Sequence, residues 1–101
     1  MAGLEVDPQR ADELRREGAH VVDVRRDDEW AEGHIEGAEH VPLDQLAARA
    51  DELGEGPIVF YCAVGERSLM AAQALSGAGR DAVSLAGGIG AWQDAGLPTV
   101  R

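Results

Sequence analysis

The chain has 101 residues, enough for one compact domain with one core. Hydrophobic residues make up 45% of it, which excludes a disordered chain, and no apolar run approaches the ~20 residues of a membrane span. All the basic residues are arginine, and the net charge of −10 counts against nucleic acid and membrane lipid as partners; it serves solubility, or suits a basic protein partner.

In chain order, Met1-Ala2-Gly3-Leu4-Glu5 has neither the basic nor the apolar region of a signal peptide, so a cytoplasmic location is expected. Leu4-Glu5-Val6 alternates and reads as a short edge strand. Asp7-Pro8 opens a helix: a side-chain oxygen caps free N–H groups, and proline takes the first helical position. That helix runs to about Glu17 and stops at Gly18. His20-Val21-Val22-Asp23-Val24 is β-branched and nearly continuous in apolar residues, as in a strand buried on both faces.

Asp27-Asp28-Glu29-Trp30 reads as a short capped helix ending near Gly33, and Glu39-His40-Val41 as a brief strand closed by Pro42. Leu43, Leu46, Ala47, Ala50 and Leu53 recur at helical spacing, predicting an amphipathic helix over 44–53. Ile58-Val59-Phe60-Tyr61 is the clearest strand, four β-formers between turn residues. A loop from Cys62 to Arg67 follows, then a helix over Ser68–Leu75, a last strand at Ala82-Val83-Ser84-Leu85 and a last helix from Gly90 to Ala95. Strands alternating with helices predict an α/β fold with parallel pairing and helices on both faces.

One cysteine allows no internal disulfide and falls far short of a structural zinc site. Cys62 therefore matters as a nucleophile, or else it is a small buried hydrophobe at a strand end. Its position bears on the choice. Ligands of open α/β sheets bind beyond the carboxyl ends of the strands. There, loop and helix N–H groups without intrachain partners converge as anion-binding donors. A thiolate so placed is stabilised, and comparable sites bring a thiol from about 8.5 into the range ~3.5–7.5. Arg67 adds a fixed positive charge, and Gly65 allows the tight curvature of a cradle.

The string Cys62-Ala63-Val64-Gly65-Glu66-Arg67-Ser68 resembles the active loop of the rhodanese family. Val22-Asp23-Val24-Arg25, Glu29-Trp30, Gly33-His34-Ile35, Gly37-Ala38 and Val41-Pro42 resemble its segment DVR…E(aromatic)…GHIxGAxxxP. Leu85-Ala86-Gly87-Gly88 with Trp92 resembles its LxGGxxxW. Three motifs in order cover about residues 4 to 98, read as one rhodanese-like domain.

The resemblance implies a five-stranded parallel sheet flanked by helices on both faces, and an enzyme of the thiosulfate sulfurtransferase type that needs no cofactor. Cys62 would take sulfur from a small donor (thiosulfate, a persulfide or a polysulfide) and pass it to cyanide, a thiol or a protein acceptor. Arg67 would assist, and the loop residues Ala63, Val64, Gly65, Glu66 and Ser68 would hold the persulfide through their N–H groups. Splitting the transfer into two nucleophilic steps is the usual gain of covalent catalysis.

Phosphatases and arsenate reductases of the Cdc25 kind share the fold type but use a loop Cys-x5-Arg. Here four residues separate Cys62 from Arg67, a tighter cradle matched in the family to sulfur. Thiosulfate-using relatives often carry basic residues in the loop and on the segment facing it. The carboxylates of Glu66 and Glu29 here should disfavour a dianionic donor, by about 1 kcal/mol if solvated and near 4 Å apart. Thiosulfate turnover is then slow, and the donor a protein persulfide or a polysulfide. A docking or carrier module without catalysis is the alternative from a different class.

Asp23 and Arg25, at the end of a central strand, are candidates for substrate contact or for a structural pair fixing the next loop. The resemblance implies that His34 is a structural loop residue, and His20, His34 and His40 lack metal-ligand spacing. Gly87-Gly88-Ile89-Gly90 lacks the spacing of a dinucleotide fingerprint and reads as a tight strand-to-helix turn. Trp30 and Trp92 read as packing.

Overall fold

A computed structural model describes residues 3–101; Met1 and Ala2, on which part of the N-terminal reading rests, lie outside it. The described residues form strands β1 (Glu5–Val6), β2 (His20–Asp23), β3 (His34–Ile35), β4 (Glu39–His40), β5 (Ile58–Tyr61), β6 (Ala82–Leu85) and β7 (Thr99–Val100). The α-helices are α1 (Pro8–Arg16), α2 (Asp27–Glu32), α3 (Leu46–Arg49), α4 (Glu66–Gly77) and α5 (Gly88–Asp94). Five strands form one sheet in the order β1-β6-β5-β2-β4, every pair parallel.

The near-continuous apolar strands are explained by burial on both faces. Along β5, Ile58 and Phe60 join Val22, Leu46, Leu53, Ala71, Ala72 and Leu75 on the side covered by α3 and α4. Val59 and Tyr61 join Val21, Ala11, Ile89 and Trp92 on the side of α1 and α5. Phe60 is wholly buried, a contribution of roughly 1.5–3 kcal/mol for one side chain. Trp92 is buried as expected, its indole N–H donating to the Pro98 carbonyl at 3.0 Å.

The register aligns the carboxyl ends of the central strands. Asp23 lies beside Tyr61, and Phe60 beside Ser84. Cys62 therefore emerges at the middle of that edge.

Local signals account for α1, where Asp7 Oδ1 accepts the Arg10 N–H at 2.8 Å and Pro8 is the first helical residue. Other expectations need correction. Residues 44–53 are not one α-helix: α3 is flanked by 3₁₀ turns at Leu43–Gln45 and Ala50–Leu53. The tighter turns eclipse residues three apart, which puts Leu43 with Leu46 and Ala50 with Leu53 on the core side. Helices α4 and α5 each begin two residues earlier than their sequence patterns suggest, so Glu66 and Arg67 are helical and not loop. Nor is β6 the last strand, because β7 pairs antiparallel with β3 in a small second ladder, His34 opposite Val100.

Candidate active site

The chain after β5 turns at once. Tyr61 is the last strand residue, Cys62 to Gly65 make the loop, and α4 begins at Glu66. Gly65 ends the loop with φ of 108°, a left-handed conformation that side chains resist. This turn folds the first-turn N–H groups of α4 back over the cysteine. The N–H of Gly65 donates to Cys62 Sγ at 3.1 Å, and that of Ser68 at 3.3 Å. The Ser68 hydroxyl lies 3.4 Å from the sulfur.

Cys62 is fully buried, yet its surroundings are polar where they meet the sulfur. Burial alone pushes the thiol up. The Ser68 hydroxyl and the N–H groups of Ser68, Gly65 and Val64 outweigh it, and the thiol ends below its ordinary value. Hydrogen bonds of this kind favour the anionic form of a thiol over its neutral form.

The loop is braced from behind. Gly88 opens α5 directly against it, and a Cβ there would sit 2.4 Å from the carbonyl oxygens of both Cys62 and Ala63. The next residue, Ile89, donates its N–H to the Cys62 carbonyl at 2.9 Å. Glycine at 88 is thus required by the approach of one backbone to another.

A family model described as "Rhodanese-like domain" matches residues 7–95, spanning both ends of this constellation. The chain belongs to the rhodanese-like domain family. It is 40% identical over 91 residues to a thiosulfate sulfurtransferase GlpE of Pseudomonas fluorescens, covering 87% of this chain and 83% of the relative. An HTH-type transcriptional regulator of Mycobacterium tuberculosis is 43% identical over 96 residues, but there the match spans only 42% of the longer protein. Among solved structures, a rhodanese-related protein from Thermoplasma volcanium superposes with a TM-score of 0.88 at 29% identity, covering 95% of this chain and 96% of that one.

Within this rhodanese-like domain the expected site residues separate into two groups. Cys62, Ala63, Val64, Gly65, Glu66, Arg67 and Ser68 surround the strand end together. Val64 is the exposed crest of the loop at 68% exposure, and Glu66 is exposed in the first turn of α4. Arg67 turns toward α2, where its two terminal nitrogens donate to Glu29 at 2.7 and 3.0 Å. That ion pair holds the Glu29 carboxyl down to about 2, helped by the Arg26 N–H that Glu29 also accepts at 3.0 Å.

Asp23 and Arg25 lie on the other side of the sheet edge and are both buried. The Arg25 guanidinium forks onto the Asp23 carboxylate, with its closest contact 2.8 Å, and also donates to the Gly33 carbonyl at 2.7 Å. This clamp closes the segment from Val24 to Gly33, which carries Glu29. His34 and His40 serve the same segment. His34 stacks on Trp30 with ring centroids 3.5 Å apart, and His40 stacks on Trp30 at 4.8 Å while donating to the Arg25 carbonyl at 2.8 Å.

Two residues escape sequence reasoning. Ser84 reads as one more position of β6, but its hydroxyl lies 2.7 Å from that of Ser68. Gly88 reads as a turn residue, and only the tertiary packing reveals its contact with the loop. A polar residue in the otherwise apolar run of β6 is the one signal that could have flagged Ser84.

A groove of about 400 Å³ adjoins the site, walled by Val24, Pro42 and Leu43 and edged by Arg25, Arg26 and Arg67. A larger cleft of about 680 Å³ lies at the amino ends of β5 and β6, between Gly54–Pro57 and Gly79–Asp81. It is remote from Cys62 and belongs to the opposite edge of the sheet.

Proposed function

We propose that this chain transfers sulfane sulfur through a persulfide on Cys62. The observation that carries the reading is the pair of N–H groups, from Gly65 and Ser68, directed at the cysteine sulfur. The Cys62 thiolate attacks the outer sulfur of the donor, the donor's S–S bond breaks, and its remaining thiolate or sulfite leaves with the bonding pair. The terminal sulfur of the persulfide bears negative charge, which suits a cradle of N–H donors at a helix start. A thiol or cyanide then attacks that sulfur and Cys62 returns to the thiolate.

The donor we favour is a persulfide or polysulfide, with thiosulfate handled slowly. Glu29 occupies the guanidinium of Arg67, and Glu66 adds a second carboxylate at the same helix start. A dianion gains little there. The adjoining groove offers apolar walls for the organic part of a donor or acceptor. We take residues 4–98 as one rhodanese-like unit acting in the cytoplasm, where a lone reduced thiol is the ordinary state.

The test is mass spectrometry after exposure to an alkyl persulfide, to polysulfide and to thiosulfate. Gain of one sulfur atom on the wild type, absent in Cys62→Ser, supports the reading. No gain from any donor overturns it. That result would favour a docking module, a reading supported by the related segment inside a transcriptional regulator. Within the transfer reading, a kcat/KM for thiosulfate unchanged in Glu66→Ala removes one support for the slow-thiosulfate assignment.

A further inference from the structure

Ser84 and Ser68 form a pair of fully buried hydroxyls, one on the strand and one on the helix that packs over it. Their oxygens are 2.7 Å apart, and either geometry permits donation in both senses. The surroundings decide the sense. The Ser84 hydroxyl has Ser68 Oγ as its hydrogen-bond partner, whereas the Ser68 hydroxyl donates to the Gly65 carbonyl at 3.2 Å and lies 3.4 Å from Cys62 Sγ. A buried hydroxyl hydrogen without an acceptor is costly, so the Ser84 hydrogen is directed at Ser68.

Two consequences follow for Ser68. One of its lone pairs is filled, which makes it a poorer acceptor for the Cys62 S–H. Its own O–H is polarised by the incoming bond and becomes a stronger donor. Both changes favour the sulfur as an anion over the sulfur as a thiol.

We propose that Ser84 is a positioning residue: its hydroxyl donates to Ser68 Oγ, which leaves that oxygen a poorer acceptor for the Cys62 S–H and its own hydrogen shared between the Gly65 carbonyl and the Cys62 sulfur. Ser84 hydrogen-bonds to Ser68 and does not line the groove. It acts from the strand, through Ser68, on the charge state of the nucleophile.

The test is the rate of Cys62 alkylation by iodoacetamide as a function of pH, on the intact chain. Alkylation reports the thiolate whether or not the chain transfers sulfur, so failure here is separable from failure of the sulfur-transfer reading. In Ser84→Ala the profile moves to higher pH, and the rate on its acid side falls about threefold. On the alkaline plateau the two proteins react alike. Ser84→Thr keeps the hydroxyl and restores the wild-type profile. In a Ser68→Ala background, Ser84→Ala has no further effect. A wild-type profile in Ser84→Ala, or an equal displacement with Ser68 absent, overturns the proposal. If Ser84→Ala does not fold, Ser84→Thr decides the matter: a displaced profile in that variant refutes it.

Discussion

Arg67 and Glu29 face each other fork to fork across the mouth of the site, with N···O distances of 2.7 and 3.0 Å. The arginine is therefore a neutralised group and not a free anion receptor. The pair also ties the first turn of α4 to α2, so the charge beside the nucleophile and the position of the facing segment are set together.

Releasing that arginine should widen the range of donors. Glu29→Gln removes a negative charge near the cradle and frees Arg67 for an incoming anion. The expected outcome is a rise of about fivefold in kcat/KM for thiosulfate, the equivalent of about 1 kcal/mol, with a smaller change for an alkyl persulfide. Steady-state kinetics on both donors checks it, and equal changes would count against charge as the cause.

The same carboxylate links stability to acid. Its folded value of about 2 lies below its unfolded value near 4.5, so the stabilisation is complete above the unfolded value. It is lost as pH falls between these two values. Denaturant midpoints measured across this window should fall less steeply in Glu29→Gln than in the wild type. Parallel curves would show that the pair contributes nothing to folding.

Reactivity at Cys62 should persist at pH values where an ordinary thiol is protonated. Because hydrogen bonds hold the thiol below its ordinary value, the half-point of its alkylation lies below that of an unperturbed cysteine thiol, and the rate is lost as pH falls through that lower point. In Ser68→Ala the half-point moves upward. A half-point matching free cysteine in the wild type would contradict the cradle's effect on charge.

A methyl group at position 88 should disable the loop. Gly88 has φ of 63°, and a Cβ would lie 2.4 Å from two carbonyl oxygens of the loop, so the backbone itself must shift. Gly88→Ala is expected to cost about 1–3 kcal/mol from strain, and to abolish persulfide formation beyond what the stability loss explains. Thermal melting together with sulfur uptake well below the melting point separates the two effects.

Breaking the buried clamp should be severe but chemically indirect. Asp23→Ala leaves the Arg25 guanidinium buried without its carboxylate, a loss of about 3–5 kcal/mol. If the pair is structural, an Asp23→Asn protein that still folds keeps the wild-type pH profile of Cys62 alkylation. A displaced profile would give Asp23 a part in the site.

Much of this architecture is legible in the chain because local and tertiary preferences agree. The run Ile58–Tyr61 is β-branched and aromatic, buried on both faces, and bounded by turn residues, so every signal points to a central strand. Strands β3 and β7 leave no such trace. Each has two residues, and their pairing joins His34 to Val100 through contacts that no local pattern records. The early start of α4 is hidden for a similar reason. Gly65 sets the turn, and the N–H groups it releases find the sulfur of Cys62 as acceptor instead of an earlier carbonyl.

The site shows the same division. Cys62, Gly65, Arg67 and Ser68 are close in sequence and can be read as a unit. Glu29, Ser84 and Gly88 reach it from three other elements, so their roles depend on the sheet order and the register of β5 with β6. Arg67 illustrates the limit: its charge is plain in the sequence, but its neutralisation by Glu29 is a property of the fold.

The brace from Gly88 and Ile89 also dates the site within folding. The cysteine is made well before the helix that supports its loop, and β1 has β6 as its sheet partner, aligned through Glu5 with Ser84. Such distant pairings carry a loop-closure cost that slows their formation. Until they form, the loop lacks its brace from α5, whereas its own N–H donors, on Gly65 and Ser68, are close to Cys62 in sequence. The rigidity of the loop, unlike its donors, is therefore a product of the completed sheet.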